Sequence, residues 1–542
     1  MEPHKALSLM QELLRKKDIH HLADVVKDSK LHRTLDLMHL VSLGIGCVVG
    51  AGIFVITGQA AALYAGPALT ISFALCALPC IFTGLCYGEL ASMIPIAGSA
   101  YSFSGLALGE IVSWFVAMCL TLENLVASSA VAVGWSASVQ ALLSEFDIYI
   151  PTLVASSPLI VDGGDFITTG AIINVPAVLI IVVLAALLCA GVQESARFNN
   201  IAVAIKITVL LTFVAYGAYY ARNHDAEFNA NLTPYIPPNE GSFGQFGWSG
   251  IFRGAGVVFF ANVGFDSICS TAQECINPQR DLPLGLMITV VVCTTLYIAV
   301  TTVLTGMVPY ELLNVDAPVL EALVHVGAAQ FFRIFVAIGA IAGLTSVCLV
   351  SLMSMPRLLL TVAQDGLLPP LMAHVLGSCF CGHGRSIAAG TVSALIAGLL
   401  PLTMLGELVS FGTLVAFIVV CVSAWRLRIT HPEQPRAFRA PLFPWVPIAG
   451  VSVCSIQLLS LPLATWRNYA ICSVIATIVY FTYSRKHSKL ATDEEIFERA
   501  QSEGLCSPKV LADAAVEEMA PEMKTEEERL SLPLEEEELR AV

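Results

Sequence analysis

Two ionisable side chains sit inside long apolar runs, a setting where charge is expensive and marks function by default. Lys206 lies in Ala204-Ile205-Lys206-Ile207 and Glu123 in Leu122-Glu123-Asn124. Lys206 follows Arg197 by nine residues, roughly 13 Å along a helix rising about 1.5 Å per residue. A desolvated amine has a lowered pKa and can exchange a proton; the structural alternative is a lysine snorkelling back to the headgroups. Glu123 follows Glu110 by thirteen residues, so it falls near the centre of its span. It is read as a carboxylate facing a pocket, tuning protonation or meeting a cationic group, or else as a protonated acid bonded between helices. Glu89, Arg197, Asp266, Glu274, Arg357 and Asp365 all fall near span ends, where ion pairs would close an inner mouth or the charges would simply snorkel.

Two apolar runs are interrupted. The first reads Gly44-Ile45-Gly46-Cys47-Val48-Val49-Gly50-Ala51-Gly52-Ile53-Phe54, four glycines in nine residues. Each glycine costs a helix about 1 kcal/mol relative to alanine. One reading is close helix packing through small residues. The other is an unwound segment whose amides and half-helix ends hold a small zwitterion, because non-helical backbone survives at membrane depth only where it lines a cavity. Phe259-Phe260-Ala261-Asn262-Val263-Gly264-Phe265-Asp266 is its counterpart, with a glycine and two polar residues inside an apolar run.

The elements that must position these residues are membrane spans. Of 542 residues, 56% are hydrophobic and only 13% charged, about half the charge of a soluble protein. About 20 apolar residues cross a bilayer, and twelve such segments are predicted: 37–63, 68–94, 111–142, 172–191, 200–220, 249–272, 284–308, 331–361, 386–404, 407–425, 446–464 and 468–484. Lys and Arg concentrate in alternate connections, among them Lys16, Lys17, Lys27, Arg33, Arg280, Arg426, Arg428, Arg436 and Arg485. The opposite loops hold little beyond Arg222 and Arg467, and 143–171 carries four acids and no base. By the positive-inside rule both termini are cytoplasmic.

The net charge of −14 does not point to a basic partner, since sixteen acids and five bases fall in Leu490 to Val542, which leaves −3 for everything before it. No basic stripe exists to neutralise phosphates, so nucleic acid is not expected as a partner. Most of the 16 cysteines lie in apolar runs and are read as buried and reduced. His374, Cys379, Cys381 and His383 form a Cys-x-Cys-x-His pattern that departs from zinc-ligand spacing, so no metal is assigned. No Walker motif, serine elbow or HExxH string supports catalysis, and no cofactor is expected. The expected organisation is a cytoplasmic segment 1–34, a core 35–425, a cytoplasmic loop with two spans 426–485, and a solvated, largely disordered acidic tail 486–542.

Several strings carry a family resemblance. They are Arg33-Thr34-Leu35 leading into GIGCVVGAGIFVITG, YGELASMIPIAGSAYSF (Tyr87 to Phe103), SARFNN (Ser195 to Asn200), VGFDSICSTAQECINPQRDLP (Val263 to Pro283), MPRLLLTVAQDGLLP (Met355 to Pro369) and PRAFRAPLFPWVPIAG (Pro435 to Gly450). The chain resembles amino acid permeases of the amino acid-polyamine-organocation superfamily, most of all the cationic amino acid transporter branch, over roughly residues 33–485. The animal members of that branch have fourteen spans and the shorter members twelve.

The resemblance implies an all-α polytopic LeuT-type fold, a five-plus-five inverted repeat with helices 1 and 6 broken and two further helices, working by alternating access. It implies substrate carboxylate at the amides of Gly50, Ala51 and Gly52, and α-ammonium at the carbonyls of Val48, Phe260 and Val263. Phe260 would be an aromatic gate, and Asn262 would make the pocket wall more polar than in relatives. Lys206 would stand where sodium-coupled relatives hold an ion, with Lys206 and Glu123 handling a coupling proton. The expected substrates are amino acids, cationic ones (arginine, lysine, ornithine) preferred, moved without sodium across the plasma membrane, with an endomembrane as the alternative. Neutral amino acids of the alanine type, or a non-transporting nutrient receptor, are the alternatives. Residues 143–171 contain no cysteine, so no disulfide-linked heavy subunit is expected.

Overall fold

A computed structural model describes residues 15–16, 33, 35–95, 98–162, 165–190, 192–241, 243–368 and 383–490. The chain divides into two compact units, Met1–His487 and Ser488–Val542, the second described only from Ser488 to Leu490. The first unit is a helical body. Its only strands among the described residues form the antiparallel hairpin Leu159–Asp162 with Asp165–Thr168, within the acidic loop 143–171.

Twelve helices of the described chain have twelve residues or more: α1 (Leu37–Val48), α2 (Leu69–Met93), α3 (Glu110–Ser144), α4 (Val175–Ala190), α5 (Val192–Asn223), α6 (Gly247–Val258), α7 (Pro278–Met307), α8 (Gln330–Gln364), α9 (His383–Leu399), α10 (Leu402–Thr430), α11 (Trp445–Ser460) and α12 (Leu463–Val479). Among the described residues seven helical runs are long and apolar enough to cross a membrane, and the α11–α12 pair, bent by 110°, makes an eighth. Three shorter apolar helices, Leu37–Val48, Val175–Leu188 and Gly390–Leu399, fall below that length. The protein is thus an all-helical polytopic membrane protein with seven to eight such spans, against the twelve read from hydropathy. The difference has a local cause at the first span. Its N-terminal half ends at Val48 and rises only about 18 Å, while its C-terminal half continues into α2 as one helical run, Gly52–Met93.

The packing is regular. α3 packs extensively on both α8 and α10, and the other large contacts set α2 on α7 and α4 on α9. Three of these four contacts, all but α3 with α10, set a helix against the one five positions later. α1, α2, α6 and α7 form one group, α3, α4, α8 and α9 another, and α5 touches α1, α7 and α8. Fully buried aromatics weld α2, α10 and the sixth-span segment together, the Phe417 ring meeting those of Tyr87, Phe259 and Phe265 edge-on. The outer flanks are apolar, with Leu179, Val182, Val183, Ile471, Val474, Ile475 and Ile478 exposed. In a membrane protein such a surface faces lipid. Twelve cysteines are described, all as free thiols; eleven are buried and Cys472 is half-buried.

Candidate substrate cavity at two broken helices

The first break follows directly from the glycine-rich string. α1 stops at Val48, Val49 is extended (φ −78°, ψ 93°), and helix resumes at Gly52 through a wide turn in which the Thr57 amide bonds the Gly52 carbonyl. The first amides past the break to find backbone partners are those of Ile53 and Phe54, both on the Gly50 carbonyl at 3.2 Å. Gly50, Ala51 and Gly52 therefore stand at the start of a helical segment, where helix geometry itself leaves amides without acceptors. The second break is of the same kind. α6 tightens into a 3₁₀ turn, Phe259–Asn262; Val263 is extended, and Gly264 takes φ +96°, a conformation that favours glycine. The two breaks touch: a Cβ on Gly52 would lie 2.3 Å from both Cα and Cβ of Ala261.

Between them opens a cavity with about 440 Å³ of empty space, its open mouth included. Val48, Gly50, Ala51 and Gly52 line it from the first break, Phe260 and Val263 from the second. Glu123, Asn124, Ala127 and Val131 of α3, Val347, Val350 and Ser351 of α8, and Cys47, Gly264 and Ser267 beside the breaks complete the wall. Seven of the eight substrate residues expected from the sequence thus share one cavity. Asn262 does not line it: its side-chain amide donates to Cys76 Sγ on α2 at 3.0 Å, so the polarity expected of it faces another helix.

Lys206 is fully buried on α5 and does not line the cavity. Its Nζ donates to the carbonyls of Gly46 (2.7 Å) and Val49 (2.9 Å) and to Ser346 Oγ on α8 (3.0 Å). An ammonium has three N–H bonds, and each has an acceptor, two of them at the orphaned C-terminal end of α1. Glu123 accepts a hydrogen bond from the Thr413 hydroxyl of α10 at 2.7 Å. It also lines a second cavity of about 410 Å³, which shares Asn124 and Ser267 with the first and adds Asp266, Ser354 and Arg357.

The charges expected at the inner mouth separate. Arg357 pairs with Glu274 at 3.5 Å. Glu89 instead faces Arg428 (3.4 Å) and Arg436 (3.3 Å), Asp365 accepts from Tyr101, and Asp266 accepts from Tyr87 at 3.4 Å. The Arg197 side chain and His374, Cys379, Cys381 and the His383 side chain lie outside what is described. Among the described residues no cluster of His, Cys, Asp or Glu could hold a metal ion.

Two residues went unnoticed in the sequence. Thr413 orients Glu123, and the Tyr297 hydroxyl of α7 meets the Val48 carbonyl at 2.8 Å and the Ala261 carbonyl at 2.9 Å, one from each break. The only signal was a hydroxyl deep in an apolar run, which is common in membrane helices.

Residues 35–489 match the amino acid permease family. The chain belongs to that family. The permease is 43% identical over 481 residues to the methylthioribose transporter of Bacillus subtilis (strain 168), covering 89% of this chain and all of that protein. It is 39% identical to the branched-chain amino acid permease BcaP of the same organism, covering 88% of this chain and 99% of that protein. With the cationic amino acid transporter 4 of Homo sapiens it shares 33% identity, over 79% of this chain and 64% of that protein. The permease is therefore a multi-pass membrane transporter of amino acids or related solutes, not an enzyme. The superfamily expected from the sequence stands; the cationic branch matches at lower identity than the two bacterial proteins.

Proposed function

We propose that the permease carries α-amino acids across the membrane by alternating access, with neutral aliphatic side chains preferred. The carrying observation is the meeting of both breaks in one cavity. The amides of Gly50, Ala51 and Gly52 begin a helix, whose N-terminus attracts a carboxylate, while the chain ends at Val48, Phe260 and Val263 offer carbonyls to an α-ammonium. Phe260 covers that zwitterion. Ala127, Val131, Val347 and Val350 give the rest of the wall an aliphatic surface beside the polar Asn124, Ser267 and Ser351, and burying an aliphatic side chain against it contributes about 1.5–3 kcal/mol.

This revises the cationic preference. The one carboxylate on the wall, Glu123, already accepts from Thr413. The cationic reading keeps one observation in its favour, the adjoining cavity where Glu123 and Asp266 both stand. The relatives named for branched-chain amino acids and for cationic amino acids match over most of this chain, so both substrate classes belong in the test.

The helix pairing five apart supports a twelve-helix, five-plus-five inverted repeat with α11 and α12 added, and the four-helix groups supply two bodies that can rock. Lys206 serves as a fixed brace of the first break and dispenses with sodium, leaving a coupling proton to Glu123. Both termini face the cytoplasm and the membrane is the plasma membrane. Uptake of labelled leucine and labelled arginine into proteoliposomes at two pH values tests this. Leucine uptake that excess alanine or valine suppresses and excess arginine does not is the expected result. Arginine uptake with leucine excluded restores the cationic reading. Methylthioribose uptake with no amino acid competing overturns recognition through the amino acid main chain, and binding without accumulation leaves a receptor.

A further inference from the structure

Tyr297 is fully buried on α7 and its hydroxyl lies within hydrogen-bond distance of two carbonyls, Val48 at the end of α1 and Ala261 in the second break. A phenol has one proton to donate. Two acceptors, one from each broken helix, therefore compete for a single donor. The neighbouring carbonyls of the first break are already supplied, Gly46 and Val49 by Lys206 and Ile45 by the Val49 amide. Tyr297 is the sole side-chain donor seen on the Val48 carbonyl among the described residues.

We propose that Tyr297 is a positioning residue that stands in for the substrate's ammonium when the cavity is empty. The inference rests on the reading above, in which the α-ammonium approaches the Val48 carbonyl. An arriving ammonium brings three N–H bonds, and a carbonyl oxygen has two lone pairs. The ammonium takes over the Val48 carbonyl, and the Tyr297 proton settles on Ala261. The hydroxyl is thus needed most by the empty, closed carrier, where the described residues offer the Val48 carbonyl no other side-chain donor. A carrier gives net uptake only if it returns empty, whereas it exchanges substrate while loaded in both directions. Removing the hydroxyl slows the empty return more than the loaded crossing.

The test is Tyr297→Phe in proteoliposomes, comparing net uptake into substrate-free vesicles with exchange into vesicles preloaded with the same unlabelled amino acid. The ratio of net uptake to exchange is expected to fall about tenfold, the effect of one buried hydrogen bond. Equal loss of both rates, or no loss of either, overturns the proposal, since a residue that only packs the ring changes both together. A wild-type protein that exchanges but gives no net uptake overturns it as well, because no empty return exists for Tyr297 to serve. If the phenylalanine variant does not fold, difluorotyrosine at 297 keeps the shape and strengthens the donor. Its ratio shifts under the proposal and matches wild type if the ring only fills space. Failure of the underlying reading is seen separately, in the wild type: a deaminated analogue that competes as well as the amino acid shows that no ammonium reaches Val48.

Discussion

Lys206 holds together the Gly46 and Val49 carbonyls at the end of α1 and the Ser346 hydroxyl of α8, so its loss should be felt in stability before transport. Lys206→Met keeps much of the volume but takes the side-chain donor from the Val49 carbonyl and leaves Gly46 only a long contact from Ser346 at 3.5 Å, at about 1–3 kcal/mol for an unsatisfied carbonyl. Thermal unfolding in detergent should move down by several degrees and uptake should fall below a tenth; unchanged unfolding sinks the brace. Gly52 is the tightest point of the cavity. Gly52→Ala puts a methyl 2.3 Å from Ala261 backbone and side-chain carbon, so the breaks must separate and substrate affinity should drop at least tenfold with expression preserved. Wild-type affinity in that variant would mean that the breaks part during the cycle anyway. Glu123→Gln should change leucine affinity less than threefold; if arginine is the substrate, it loses about tenfold to a hundredfold, the value of a charge-assisted bond. Competition binding separates the two. Lys206 and the glycine string were legible in the sequence because a buried charge and repeated glycine each contradict an apolar helix. Tyr297 and Thr413 were not, since each acts on a residue 249 or 290 positions away in the chain. Asn262 was misread because sequence supplies a residue type and not a direction.

Helix by helix, the connection from α10 to α11 is more than a tether. Glu89, at the end of α2, accepts the Ala440 amide at 2.9 Å while facing Arg428 and Arg436, and Ser92 bonds the Phe438 backbone. Glu89 and Arg436 are both nearly inaccessible. Glu89→Ala should cost about 3 kcal/mol, the scale for breaking a buried pair and leaving one charge behind, and should loosen that connection to proteases under limited digestion. Intact resistance would show that the arginines find other acceptors. The family string PRAFRAP was visible in the sequence, but its docking onto α2 was not, because the two segments are some 350 residues apart. Long, uniformly apolar elements such as α3, α7, α8 and α10 were legible from hydropathy with ends close to those observed. The short α1, α4 and α9 were not distinguished from full spans, since an apolar run does not announce where the backbone stops being helical. The hairpin at 159–168 has four-residue strands, too short for any period to show.

For the molecule as a whole, the substrate machinery lies entirely within α1 to α10, so deletion of 492–542 should leave uptake in liposomes within about twofold. Loss of turnover would tie the acidic tail to the transport cycle. An epitope fused after Val542 should be reached by antibody only once cells are permeabilised; staining of intact cells reverses the proposed orientation. Asn231 opens an Asn-x-Thr triplet in the connection from α5 to α6, yet its side-chain nitrogen donates to the Gly306 carbonyl at 3.0 Å. Tethered in this way, it should stay unmodified in a glycosylating cell even on the outer face. The overall plan was legible only as a family resemblance, because pairing of helices five apart leaves no mark on composition. One further consequence comes from the sulfur chemistry. With eleven of the twelve described thiols buried, a water-soluble maleimide finds almost nothing to alkylate in this body. Replacing Cys472, the cavity-lining Cys47 and the four cysteines whose side chains are not described, Cys189, Cys379, Cys381 and Cys506, would then give a background silent enough for single fluorophores, without a cysteine-free protein having to be built.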